Sequence, residues 1–324
     1  MSEQYKQDYR QPSYRFFDRP TDREDVTAQL ISGLQQQPKS IAPKFFYDEQ
    51  GSKLFSRITR TREYYPTRTE IGLLRRYGRE IAACIGERSL LIEYGSGSSE
   101  KIRILLDSLR PSTYAPLDIS RDYLEASAGA IAVDYPWLEV VATCVDYTRD
   151  FELPFELLEN TAGFFPGSSI GNFDPAAAVE FLIRVRKQLG PSGGLLIGVD
   201  LKKDKKVLDR AYNDVEGITA AFNLNVLAHL NEKYGADFDI DSYEHQAGYN
   251  TELGCIQMFL KSKREQVATI ANEKFILKQG ERIHTENSYK YTKHQFLEMA
   301  SGAGFANHKV WTDDRDWFAV MYLY

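Results

Sequence analysis

The stretch Leu90-Leu91-Ile92-Glu93-Tyr94-Gly95-Ser96-Gly97-Ser98-Ser99-Glu100-Lys101 constrains the fold more than any other part of the chain. An apolar run ends in an acid and a Gly-Ser-Gly turn follows. Ile102, Leu105, Leu106 and Leu109 then recur at helical spacing. The pattern is a strand, a tight loop and a helix. Glycine lets such a loop take positive φ and lets a ligand lie against the backbone. The helix N-terminus behind it favours a ligand bearing negative charge. Glu100 stands where the dinucleotide fingerprint G-x-G-x-x-G needs its third glycine, and no Gly-Lys-Ser/Thr follows for a triphosphate. The loop by itself leaves a nucleotide-type ligand and a purely structural turn both open.

Downstream, short apolar runs alternate with helical patterns. Strands are expected at 90–94, 113–119, 138–145, 163–166 and 194–201, with helices at 101–109, 122–133 and 175–189. This alternation implies an α/β fold, a parallel sheet with helices on both faces. Ligands of such sheets sit beyond the carboxyl ends of the strands, which directs attention to the residues just after each run. Asp118 lies 23 residues beyond Gly95, about where an acid takes the ribose hydroxyls of a nucleotide. Asp146 and Tyr147 offer a carboxylate for an exocyclic amine and a ring for a base. Gly167-Ser168-Ser169-Ile170-Gly171-Asn172 supplies small residues and one amide side chain where a substrate would meet a cofactor. A single acid after a strand is usually a helix cap; three successive strand ends with apt chemistry weigh against that explanation.

Before this region, a helix is expected from near Asp22, with Val26, Leu30, Ile31 and Leu34 on one face, and residues 1–19 read as a loose arm. The aromatic stretches 44–55 and 63–70 read either as packed corners or as a lid over the ligand loop. After Asp200 the alternation stops. A long helix to about Tyr234 and strands over 249–261 and 273–283, separated by a polar loop, look like an inserted block. The tail returns as a helix over 295–300 and a closing antiparallel pair. The division expected is 66–200 with 289–324 for the ligand-binding sheet, and 20–65 with 201–288 for an α+β cap.

The net charge of −6, with no Lys/Arg block, speaks against a nucleic-acid surface. No apolar run approaches the ~18 residues of a membrane span, and Met1 to Asp18 lacks the apolar core of a signal peptide. Cys84, Cys144 and Cys255 are odd in number and widely spaced, as expected of thiols in a reducing compartment. The five histidines show no metal-ligand spacing. The expectation is a cytoplasmic monomer with no metal, no membrane and no nucleic-acid partner.

Six ordered stretches carry a resemblance: 47–55, 63–68, 94–101, 167–172, 217–223 and 280–290. Together they resemble the histidine-specific methyltransferases that use S-adenosylmethionine (SAM), a family that includes the ergothioneine-pathway L-histidine Nα-methyltransferases. The resemblance runs from about residue 40 to the C-terminus. It implies a Rossmann-like class I methyltransferase sheet under a substrate-binding cap. It further implies that Tyr64, Gly95, Lys101, Asp118, Asp146 and Tyr147 contact SAM, although the family often has Phe at the place of Tyr147. Asn172 and Tyr212 would hold the α-carboxylate and amine of the amino acid, with Tyr47 near the amine. Gly167 and Met258 would line its pocket, and Glu286 and Ser288 would bind the imidazole. The implied reaction trimethylates the α-amine of L-histidine to give hercynine. Fungal relatives that methylate a prenylated tryptophan share the framework, so another aromatic amino acid, or SAM binding without turnover, is the alternative.

Overall fold

The computed structural model describes residues 13–19, 23–97 and 99–324. Five parallel strands lie in the spatial order Glu139–Cys144, Thr113–Asp118, Leu90–Tyr94, Thr161–Phe165, Gly194–Asp200. The chain steps outward from Leu90–Tyr94 in one direction, then crosses back to its other side. Strand order therefore reverses beside Leu90–Tyr94, and a crevice opens at the carboxyl ends there. The strands read as continuous apolar runs because helices cover both faces. Leu91, Ile92, Val140, Phe164 and Leu196 are all fully buried. Phe318–Leu323 pairs antiparallel with Gly194–Asp200, and His308–Thr312 closes that edge.

Four expectations need correction. Ser13–Asp18, placed by the sequence in a loose arm, pairs in parallel with Glu139–Cys144 and forms the opposite edge of the sheet, with Tyr14 and Phe16 packed on the core. The remainder of that arm, 1–12, lies outside the described residues, as does Asp22 at the expected helix start; the helix is described over Arg23–Gln35. The polar run between the two later strands is not a loop. Gln266–Ile270 pairs with Glu273–Leu277 through a two-residue turn at Ala271 and Asn272, both at positive φ, and buries Ala268, Ile270, Phe275 and Leu277.

A second sheet has the order Lys39–Ser40, Arg282–Tyr289, Cys255–Ser262, Tyr243–Asn250. The expected strand over 249–261 is a hairpin turning at 251–254, and the one over 273–283 is two strands divided near Gly280. One apolar cluster joins this sheet to the helices Arg23–Gln35, Glu49–Ile58 and Ile218–Tyr234. It includes Leu30, Phe46, Leu54, Phe222, Leu227 and Ile283. Separate clusters fill the two faces of the large sheet.

Candidate active site

At the crevice, Gly95 has φ of +76°, and a Cβ there would lie 2.9 Å from the Tyr147 hydroxyl. Only glycine lets the Tyr147 ring lie this close to the loop. The Gly95 and Ser96 amides both donate to the Leu117 carbonyl, which fixes the loop against the next strand end. Ser98 of the same loop lies outside the described residues. Asp118 accepts from the Ser120 amide at 2.8 Å. Burial pushes its carboxyl up to about 6, against the pull of that hydrogen bond. Asp146 accepts from the Thr148 amide and hydroxyl and has Lys44 at 3.8 Å. Glu93, in the strand just before the loop, accepts a hydrogen bond from the Tyr114 hydroxyl, and burial pushes its pKa up to about 8.

Above the strand ends lies a small chamber, about 50 Å³. Tyr47, Tyr64, Gly167, Asn172, Tyr212, Met258, Glu286 and Ser288, all singled out from the sequence, line it. Local rules explain how they arrive. Pro66 starts the helix Tyr65–Ile85, where its missing N–H costs nothing. The Arg68 guanidinium binds the carbonyls of Thr61, Arg62 and Tyr64, which fixes Tyr64 at the helix entry. Asp48 caps Glu49–Ile58 through the Gly51 amide and anchors to Asn225, so Tyr47 is held between two fixed points. At Gly171 a Cβ would meet the Tyr289 carbonyl oxygen at 2.6 Å. Glycine there lets the turn Ser169–Asn172 press against the second sheet, with Asn172 at the chamber wall.

The strand Arg282–Tyr289 carries a β-bulge between His284 and Glu286. Ile283 and Thr285 are buried before it, Glu286 and Ser288 after it. The bulge shifts the inward face from odd to even positions. Thr285 is tied to Asn223 at 2.8 Å, and Glu286 enters the chamber opposite Met258. Burial pushes the Glu286 carboxyl up to about 7, only partly offset by Lys290. No hydrogen bond reaches this carboxylate among the described residues. A buried acceptor in that state awaits a donor.

Tyr212 is held at both ends. Asn223 Nδ2 donates to His245 Nδ1 at 2.9 Å, so His245 Nε2–H donates to the Tyr212 carbonyl at 3.0 Å. The Tyr212 hydroxyl donates to Ser288 Oγ at 2.8 Å and accepts from Lys290 at 3.1 Å. Lys290 also donates to Ser288 Oγ at 2.7 Å and pairs with Asp200 at 2.9 Å. Asp200 further binds Lys203 and the Tyr65 hydroxyl. Burial would raise the Asp200 carboxyl, but the two ammonium groups hold it below the usual carboxylate range.

The sequence reading assigned no role to Lys290, Asp200 or Glu70. Lys290 closed a quoted motif and Asp200 ended the fifth strand, which were the available signals. Glu70 is an acid on the buried face of its helix, which was the third. It pairs with Lys101 at 2.5 Å and accepts the Gly167 amide at 2.9 Å. The structure thus gathers Gly95, Asp118, Asp146 and Tyr147 at the strand ends and the substrate-side residues in the chamber. Lys101 lies between them, and Tyr64, linked to SAM by the resemblance, sits in the chamber 6.2 Å from Tyr212. Burial raises the Tyr47 phenol well above its usual range, and Glu286, Tyr147, Asp118 and Tyr212 all lie near enough to add to that rise, so it stands at the junction.

Acidic strand ends at the switch point suit the ribose and adenine of a nucleoside cofactor, and the polar chamber beside them suits a small amphoteric molecule. Together with the strand order, these features make the chain an α/β, Rossmann-like class I SAM methyltransferase. The sequence profile of the histidine-specific, SAM-dependent methyltransferases matches residues 26–324, and the chain belongs to that family. Histidine N-alpha-methyltransferase of Mycolicibacterium smegmatis is 41% identical over 90% of this chain and 91% of its own length. Ergothioneine biosynthesis protein 1 of Neurospora crassa is 33% identical over 85% of this chain, a match that spans 32% of the longer fungal protein. 4-Dimethylallyltryptophan N-methyltransferase of Epichloe festucae is 25% identical over 91% of this chain and 93% of its own.

Proposed function

We propose that this enzyme trimethylates the α-amine of L-histidine to give hercynine, as a step toward ergothioneine. The observation that carries the reading is the buried Glu286 carboxylate, unpartnered, in one chamber with Ser288, Asn172 and Tyr212. An imidazole N–H satisfies that carboxylate and its second nitrogen reaches Ser288, whereas an indole has no second nitrogen and a larger body and matches the pair poorly. Such polar matches separate substrates strongly, because the wrong ring leaves a buried group unpaired. In this reading residues 20–65 and 201–288 form the substrate cap over 66–200 and 289–324.

SAM supplies an electrophilic methyl group when bound. Asp118, Asp146 and Tyr147 would take its ribose and adenine, Gly95 its backbone approach, and Lys101 its carboxylate. Asn172 and Tyr212 hold the α-carboxylate and amine of histidine in line. The amine must shed its proton before each transfer; its ordinary pKa is near ~8, and a neighbouring cation favours the neutral form. No obligate general base is assigned. Alignment of reacting groups accounts for ~7–11 kcal/mol of barrier in well-oriented systems. The rings of Tyr47 and Tyr64 line the chamber and would favour the ammonium that grows with each methyl by cation–π contact.

The deciding experiment is mass spectrometry of a histidine-plus-SAM incubation, with tryptophan in parallel. Gains of one, two and three methyl groups on histidine are expected. Methylation of tryptophan alone would replace this reading with the aromatic alternative; SAM binding without any transfer would replace it with a non-catalytic one. No helix among the described residues is long and apolar enough to cross a membrane. The proposed setting is a cytoplasmic monomer, in keeping with three unpaired thiols.

A further inference from the structure

Ser288 receives two hydrogen bonds inside the protein, from the Lys290 ammonium at 2.7 Å and the Tyr212 hydroxyl at 2.8 Å. A serine hydroxyl has two acceptor positions and one proton. Both acceptor positions are therefore filled, and the proton alone remains for whatever occupies the chamber. Lys290 cannot reverse its bond, because an ammonium only donates. Its three protons are matched by three acceptors, Ser288 Oγ, the Tyr212 oxygen and Asp200. Lys290 is 2% exposed and Asp200 fully buried, so water does not rearrange this set. Asp200 is shared between Lys290 and Lys203; what the arrangement imposes on Ser288 is hydrogen-bond polarity. Glu286 has the opposite polarity when ionised, since a carboxylate only accepts.

We propose that Lys290 is a positioning residue that sets substrate specificity by making Ser288 an obligate donor. The chamber then reads a ring with one N–H, directed to Glu286, and one bare nitrogen, directed to Ser288. That ring is a neutral imidazole. An imidazolium offers a proton at both nitrogens and meets a donor at Ser288; an indole has no bare nitrogen at all. The proposal rests on histidine being the substrate and deepens that reading.

The test is the ¹⁵N spectrum of ring-labelled histidine bound to the enzyme with S-adenosylhomocysteine, together with steady-state kinetics. The wild-type complex should show one protonated and one bare ring nitrogen as separate signals. Lys290→Met, which leaves Asp200 paired with Lys203, and Lys290→Met with Asp200→Asn, which leaves Lys203 the Leu201 carbonyl and the Tyr65 hydroxyl, each free one acceptor position on Ser288. In these variants the two signals should move together. The KM for histidine should rise on the order of 10- to 100-fold, the scale expected when a polar match to substrate is lost, with SAM affinity within about twofold. If Lys290→Met does not fold, the double variant and the wild-type spectrum decide. A wild-type complex with both ring nitrogens protonated would overturn the proposal. So would a variant with intact SAM binding that keeps separate signals and an unchanged KM. A wild-type enzyme that methylates another amino acid and gives no bound histidine signal would instead overturn the substrate reading, and the proposal with it.

Discussion

Glu286, proposed above to recognise the substrate ring, also costs the fold stability. Its carboxyl is raised from 4.5 to about 7 by burial, so the folded chain binds more protons than the unfolded one between those values. Stability therefore falls as pH climbs through that window, and the loss is complete above it. The amide of Glu286→Gln does not titrate. The variant should be more stable than the parent at pH 8 by at most about 3 kcal/mol, a gap that narrows toward pH 5. Denaturant unfolding at four pH values checks this; a gap independent of pH would remove the buried-carboxylate account. The same variant should lose histidine turnover on the order of 10- to 100-fold, since an amide is a weaker acceptor for the ring N–H. Asn172 tests the other end of the chamber. Asn172→Ala should cut turnover on the order of 100-fold or more while SAM affinity stays within about threefold by calorimetry. Collapse of SAM binding in that variant would mean that the strand ends and the chamber are not separable sites.

At the level of elements, the turn Ser169–Asn172 is placed by contact rather than by its own sequence. Gly171→Ala inserts a methyl against the Tyr289 carbonyl and should push the turn off the second sheet. A loss of about 1–3 kcal/mol is expected, the usual cost of overpacking, with a raised KM for histidine and little change in SAM affinity. Thermal melts and kinetics measure the two effects; an unchanged KM would detach Asn172 from this packing. The central parallel strands were legible because burial on both faces writes them as apolar runs, and the rule for strand ends then pointed to Gly95, Asp118, Asp146 and Asn172. The edge strand Ser13–Asp18 was not legible, since its partner Glu139–Cys144 is more than a hundred residues away and polar residues surround it. Gln266–Ile270 was hidden by neighbouring Lys and Glu, which the outer face of a hairpin tolerates. The bulge before Glu286 has no local signature; it follows from Thr285 bonding to Asn223 on a helix. Lys290, Asp200 and Glu70 escaped for a related reason. A buried ion pair joins segments that only the fold brings together, and each partner alone reads as a surface charge.

In the whole molecule, the aromatic segment between Pro43 and Ile58 is where the two layers meet, because it touches both halves of the site. Ser120, next to Asp118, donates its hydroxyl to the Tyr47 carbonyl at 2.9 Å. Lys44 approaches Asp146 at 3.8 Å. Asp48 is held by Asn225 of the helix Ile218–Tyr234, and Tyr47 lines the chamber. A cofactor that orders the loops after Asp118 and Asp146 therefore also orders this segment, and binding at one half favours the other by the same factor in both directions. Hydrogen exchange reads this directly. S-adenosylhomocysteine alone should slow amide exchange over residues 43–58 by on the order of tenfold, a coupling of about 1.4 kcal/mol, as well as around Gly95 and Ser120. Ser120→Ala removes one of the two ties. It should keep the protection at Gly95 and lose most of it over 43–58, and histidine should then bind equally well with and without the cofactor product. Protection that persists over 43–58 in Ser120→Ala would assign the coupling to Lys44 and Asp146 instead. Protection absent from 43–58 in the parent enzyme would show that the two halves of the site bind independently.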